Sequence, residues 1–166
     1  MWEARTRSDY YTVSLDNGER KQIAQADYGR FRLSPQGKYA YWYGETDSCW
    51  YTIALAEGKQ YRLTTPESFP AWDEENDVPD YPYAHGAAGW TANDQNLLIY
   101  DRYDIWKFDP TAATPPINLT VNGRKEKLSY RLEQLDKEAR FIDLGKPQLL
   151  KAVSYTHLRA HETKAN

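Results

Sequence analysis

The residues best suited to chemistry lie in one acidic run, Trp72-Asp73-Glu74-Glu75-Asn76-Asp77. Asp73, Glu75 and Asp77 have the alternate spacing with which an EF-hand calcium loop begins. The sixth position of that loop is Val78, where glycine would make the turn, and the twelfth is Ala84, which has no oxygen to ligate. Calcium is therefore not expected, and a solvated acidic loop is the plain reading. His85 stands between Ala84 and Gly86 with no companion histidine or cysteine, which suits a hydrogen-bonded loop histidine. Cys49 is the single cysteine; it cannot form an intrachain disulfide and reads as a small packing residue before Trp50. Arg102, with Tyr100, Tyr103 and Trp106 around it, is either a recognition patch of guanidinium and rings or the polar cover of a strand bend. The chain contains no Gly-x-Ser-x-Gly elbow, so no catalytic residue is assigned.

Two further histidines, His157 and His161 with Glu162 beside the second, have the spacing of half a zinc-binding helix. They fall in Val153-Ser154-Tyr155-Thr156-His157-Leu158-Arg159-Ala160-His161-Glu162-Thr163, which resembles one translated frame of a transposase adapter used to prepare sequencing libraries. Residues 153–166 are accordingly set aside as an adapter-derived tail, and neither a metal nor a cofactor is expected.

What must position the acidic run is β structure. Fourteen tyrosines and six tryptophans against four phenylalanines favour half-buried strands, where a ring is covered and its polar tip stays wet. A formal net charge of −3, with both signs interspersed, builds no basic face for nucleic acid. No apolar run approaches the roughly 18 residues of a membrane helix, so no membrane span is expected. The opening Met1-Trp2-Glu3-Ala4-Arg5-Thr6-Arg7 lacks the apolar core of a signal peptide.

Two kinds of segment recur. Tyr11-Thr12-Val13-Ser14-Leu15, with Gly18 in the following turn, leads to Ile23; forty residues on, Tyr51-Thr52-Ile53-Ala54-Leu55, with Gly58, leads to Leu63. A looser third copy runs from Ile105-Trp106-Lys107-Phe108 to Ile117-Asn118-Leu119-Thr120. Period two places Tyr11, Val13 and Leu15 on one strand face, and Tyr51, Ile53 and Leu55 likewise. The second kind is a strand–turn–strand: Phe31-Arg32-Leu33-Ser34-Pro35-Gln36-Gly37-Lys38 before Tyr39-Ala40-Tyr41-Trp42-Tyr43, and Gly89-Trp90-Thr91-Ala92-Asn93-Asp94-Gln95 before Asn96-Leu97-Leu98-Ile99-Tyr100. Joined, the two kinds make a four-stranded antiparallel unit, which is a propeller blade. The expectation is an all-β, partial β-propeller of about two and a half blades within residues 1–152: a partial blade at 9–23, blades at 27–64 and 87–120, and the start of another at 128–152. Within 126–140, Tyr130-Arg131-Leu132-Glu133-Gln134-Leu135 alternates as a strand rather than a helix.

Leu33-Ser34-Pro35-Gln36-Gly37-Lys38-Tyr39 resembles the turn of peptidase and TolB-like propellers. Ala88-Gly89-Trp90-Thr91, Leu98-Ile99-Tyr100-Asp101-Arg102-Tyr103-Asp104-Ile105-Trp106, Ile117-Asn118-Leu119-Thr120 and Asn122-Gly123-Arg124-Lys125 together resemble the propeller of bacterial prolyl-oligopeptidase-type serine peptidases. The resemblance implies a periplasmic or secreted parent in which a propeller gates short peptides for a separate α/β-hydrolase domain. The partners it implies are that domain, the remaining blades and the peptide substrate. In dipeptidyl peptidases of the family a pair of glutamates from a propeller insertion binds the substrate's free amine, a role that would fall here to Glu74 and Glu75. The alternative is a TolB-like propeller that binds protein or peptide partners without catalysis.

Two and a half blades leave apolar faces and sheet edges open. The chain expressed alone is expected to associate; a sharp monomer peak with a cooperative melt on size-exclusion chromatography and calorimetry would count against a blade fragment.

Overall fold

The computed structural model describes residues 7–27, 29–136 and 138–154. It is mostly β, in several small antiparallel sheets. β1 (Ser8–Val13) and β2 (Arg20–Asp27) form a hairpin. β3 (Arg32–Leu33), β4 (Tyr39–Gly44), β5 (Cys49–Ala54) and β6 (Lys59–Arg62) form a four-stranded meander in chain order. β7 (Ala87–Trp90), β8 (Leu97–Tyr100), β9 (Ile105–Phe108) and β10 (Ile117–Asn118) form a second. A single helical turn, α1 (Gly123–Glu126), ends where Lys127 enters the left-handed region at φ 55°, and β11 (Leu128–Leu132) then pairs with β12 (Leu150–Ser154). The alternating segment near Tyr130 is thus a strand, though it stops at Leu132. β12 extends into the segment set aside as a tail; residues 155–166, with His157, His161 and Glu162, lie outside the described residues.

Side-chain alternation explains how the sheets pack. On β4, Ala40 and Trp42 point one way and Tyr41 and Tyr43 the other; on β8, Leu97 and Ile99 oppose Leu98 and Tyr100. All of these are buried, because each meander has a neighbour on both faces. Ala40, Trp42 and Ile53 pack with Ile23, Phe31, Tyr51 and Leu55 on the side of the β1–β2 hairpin. A file of stacked rings, Tyr10–Phe31–Trp42–Tyr51, crosses that interface at centroid spacings of 4.0, 4.1 and 5.3 Å. Tyr41, Tyr43 and Trp50 meet Trp90, Leu97, Ile99 and Phe108 between the meanders. Leu98, Tyr100 and Ile105 meet Ile142, Tyr130, Leu132 and Leu150 beyond them. Strands buried on both faces read as continuous apolar runs, as β4 and β8 do.

The turns share one chemistry. Ser34 Oγ accepts a hydrogen bond from the Tyr39 amide at 3.0 Å, and Thr91 Oγ1 accepts one from the Asn96 amide at 3.0 Å, each five residues on. Gly37 (φ 69°) and Asp94 (φ 53°) hold equivalent left-handed positions. Asp94, buried, turns its carboxylate into the neighbouring turn, where it accepts from Ser34 Oγ at 2.5 Å, the Gln36 amide at 3.1 Å and the Lys38 amide at 3.3 Å. One carboxylate therefore fixes the first meander against the second.

Asp94→Ala removes the shared acceptor of three donors and is expected to destabilise the fold by about 3 kcal/mol. Urea unfolding should show a lower midpoint with an unchanged slope, while Gln36→Ala, which keeps the amide bonded to Asp94 and removes only an exposed side chain, should cost under about 1 kcal/mol.

Candidate functional site

The connection from β6 to β7, residues 63–86, is long for a meander. Phe69 and Ala71 drop from it into the core between the meanders, with Phe69 edge-on to Trp106 and Phe108. Trp72 bridges Ala84, the Asp73 amide donates to Tyr83 O at 2.8 Å, and the His85 amide donates to Ala71 O at 3.2 Å, closing the base of an arch. Tyr43 reaches up from β4 to donate its hydroxyl to Pro82 O at 3.1 Å; burial is the main cause that pushes this phenol up to about 12. Asp73 Oδ1 accepts from the Glu75 amide at 3.1 Å, a local turn that aims the next two side chains.

Glu74 and Glu75 each meet an arginine. Arg124 donates through Nη1 and Nη2 to the two carboxylate oxygens of Glu74 at 3.3 and 3.1 Å. Arg102 Nη2 lies 2.6 Å from Glu75 Oε1. Arg102 belongs to the turn Asp101-Arg102-Tyr103-Asp104 between β8 and β9, so sequence neighbours on the arch are tied to two different elements. Both guanidiniums also lie over the ring of Tyr103, at 5.3 Å from Arg102 Cζ and 5.2 Å from Arg124 Cζ. For each, burial works against the charge, and the bonds to carboxylates outweigh it, so both are held above the ordinary guanidinium range.

The support beneath is a pair of buried aspartates. Asp101 Oδ1 accepts from the amides of Tyr103 at 2.7 Å and Asp104 at 2.5 Å, while Oδ2 receives Arg124 Nη2 at 3.3 Å. Asp104 accepts from Thr120 Oγ1 at 2.6 Å, the Gly123 amide at 2.9 Å and the Arg124 amide at 3.2 Å. Gly123 is required there: a Cβ would stand 2.6 Å from Asp104 Oδ1 and 2.8 Å from Leu128 O. Arg131 lies over Tyr100, 4.6 Å from the ring centroid, and donates to the carbonyls of Tyr130, Asp101 and Arg102.

The result is a fixed surface of four carboxylates, three guanidiniums and two phenol rings at one end of the second meander. It carries no nucleophile–base pair. The groups it presents could take an ammonium at Glu75 or Glu74, in competition with Arg102 and Arg124, or a carboxylate at the guanidiniums. Among the described residues no group of three or more His, Cys, Asp or Glu is arranged to hold a metal ion. Cys49, fully buried, lies 3.0 Å from Arg62 Nη2, and its thiol is pushed up, chiefly by burial. At the other end of the meanders a cleft of about 660 Å³ opens between Pro35, Gln36 and the loop that carries Asp136, Arg140, Phe141 and Lys146.

Of the residues singled out in the sequence, Glu74, Glu75, Arg102 and Tyr103 are brought together and Arg102 covers a strand bend. Asp101, Asp104, Arg124 and Arg131 were not singled out as site residues. The signal available for the first two was an Asp-x-x-Asp spacing between two strands, which marks a turn held by carboxylates accepting backbone amides. Compared with family models, with curated proteins and with solved structures, the chain matches none. Among the described residues no helix is long and apolar enough to cross a membrane.

His85 sits below this surface with Nε2 buried and, among the described residues, without a hydrogen-bond partner. Burial, and then the charge of Arg131, lower its pKa against the opposing pull of Asp73, Asp101 and Glu74. A depressed histidine pKa means that the unfolded chain takes up the proton first, so stability is full above the unfolded value of about 6.5 and declines as pH falls through it. Chemical denaturation between about pH 7.5 and 5.5 should show this decline, and His85→Gln should flatten it; an unchanged slope in the variant would assign the decline to other groups.

Proposed function

We propose that the chain is a run of propeller blades that selects short peptides without acting on them, on behalf of a serine-peptidase domain carried by the rest of its parent protein. The observation that carries the reading is the pair of four-stranded meanders, Arg32–Leu33 through Lys59–Arg62 and Ala87–Trp90 through Ile117–Asn118, stacked face to face. Half-sheets cover both outer faces of this pair. Blades stacked in this way present their turns and connections at two ends, and the arch with Glu74 and Glu75 occupies one of them. The absence of a Gly-x-Ser-x-Gly elbow from the sequence supports a selecting rather than a cleaving role. In this reading Glu74 and Glu75 take the substrate's amino terminus, with Arg102 and Arg124 holding them in place until it arrives.

The ion pairs themselves favour a second reading. Carboxylates already engaged by guanidiniums suit a TolB-like surface that docks a protein or peptide partner with no preference for a free amine.

Calorimetric titration separates the two. A short proline-containing peptide with a free amino terminus should bind at least about tenfold tighter, or about 1.4 kcal/mol, than its N-acetylated form, and Glu75→Gln should abolish the difference. Equal binding of both forms would leave the docking reading; binding of neither would overturn peptide selection, and measurable hydrolysis would overturn the non-catalytic role.

A further inference from the structure

The first strand of the second meander has an open edge. Among the described residues β7 pairs with β8 along one side only, and Ala87, Ala88 and Gly89 are partly exposed. The other side is met at a single point. There the connection between β11 and β12 carries Ile142 beside Thr91 in a parallel bridge, and the Ile142 amide donates to Trp90 O at 2.7 Å. One residue of that connection thus takes the position of a strand.

Its side chain is fitted and its surroundings are not. Ile142 is 7 % exposed and packs with Leu98, Tyr100 and Ile105. Gly89 makes room for it: at φ 141° its backbone favours glycine, and a Cβ there would stand 3.2 Å from Ile142 Cδ1. Next to Ile142, Phe141 is 48 % exposed. Asp143 then gathers the Gly145 and Lys146 amides and the Gln148 side chain into a separate turn. A hollow of about 350 Å³ adjoins Ile142, lined also by Leu132, Phe141, Pro147 and Leu149. The connection therefore has space to move into, and its own turn does not depend on β7.

We propose that this edge is a peptide groove and that Ile142 fills it in place of a ligand. An extended peptide adds to β7 as a parallel strand and sets an aliphatic side chain over Gly89, where Ile142 lies in the free chain. Direction supports the assignment. A strand parallel to β7 has its amino end at Ala87, and that end adjoins the charged surface. Gly86 O accepts from the Tyr100 amide at 3.0 Å, and the turn that carries Arg102 follows Tyr100 directly. In a closed stack of blades the first strands surround the central channel, so further blades of the parent leave this edge uncovered. The inference rests on the peptide-selecting reading and adds the line along which the body of the peptide lies.

Calorimetric titration of the full chain tests it, with alanine hexapeptides that carry a free amino terminus, proline second and one isoleucine between the third and sixth positions. One isoleucine position should bind at least about tenfold tighter than the others. On that peptide, single N-methyl groups should weaken binding about tenfold at alternate residues only, because every second amide of a strand faces its neighbour. Ile142→Ala should bind it at least about threefold tighter, since the groove no longer has to be vacated. With the unaltered chain, saturating peptide should speed tryptic cleavage after exposed Arg140 at least about threefold. The N-methyl series and the cleavage rate decide the matter even where Ile142→Ala fails to melt cooperatively. Binding that prefers a free amine but ignores isoleucine position and N-methylation would overturn strand addition and leave the proposed function standing. Cleavage that slows or stays unchanged on binding would overturn the displacement of Ile142. Binding of no peptide would overturn both readings.

Discussion

Everything in this fold depends on strands that are buried on both faces. β4 and β8 have no polar side to turn to water, so a meander cannot stand alone and each sheet exists by virtue of its neighbours. That constraint makes stacking, rather than closure of each sheet on itself, the route to a core. It also accounts for the composition: large rings fill the gap between faces, and the tyrosine and tryptophan rim can remain half wet. The Asp94 carboxylate supplies what apolar contact lacks, since hydrophobic burial is non-directional and a charge accepting three donors is not. It fixes how far one sheet slides over the next.

Much of this was legible beforehand, for physical reasons that can be named. Period-two alternation and the glycines at Gly18, Gly37 and Gly58, all at positive φ, locate strands and turns because both are local properties of the chain. The two meanders accordingly fall inside the segments 27–64 and 87–120. Burial was not legible. Tyr11-x-Val13-x-Leu15 and Tyr51-x-Ile53-x-Leu55 are nearly the same string, yet Val13 is half exposed while Ile53 is covered, because covering is done by another sheet and not by the strand itself. The site divided in the same way. Adjacent glutamates and an arginine among aromatics can be noticed in a sequence. That Arg124, fifty residues away, would grip Glu74 while Asp101 and Asp104 hold Arg124 and its backbone depends on how loops converge.

The charged surface has an outer layer and a buried one. Glu74, Glu75 and Arg124 are partly exposed, Arg102 is largely covered, and the aspartates are buried among backbone amides. Each layer makes the next affordable in a low-dielectric setting: the amides stabilise Asp101 and Asp104, and these help to hold Arg124. Rearranging the outer layer leaves the buried one intact. A ligand that displaces an arginine from a glutamate therefore meets a surface already rigid below the exchange.

The meander connectivity has a consequence for how the chain acquires its structure. Among the described residues, every ladder in the four sheets joins strands that follow one another along the sequence. Short loops close quickly, so each sheet can register its own strands without waiting for distant segments. The contacts between sheets come later and decide whether the registered strands persist. During synthesis a newly formed meander therefore spends an interval with an apolar face uncovered, until the next forty or so residues emerge to cover it. The order of the repeats along the chain is thus also a schedule, in which each sheet is the surface on which its successor condenses.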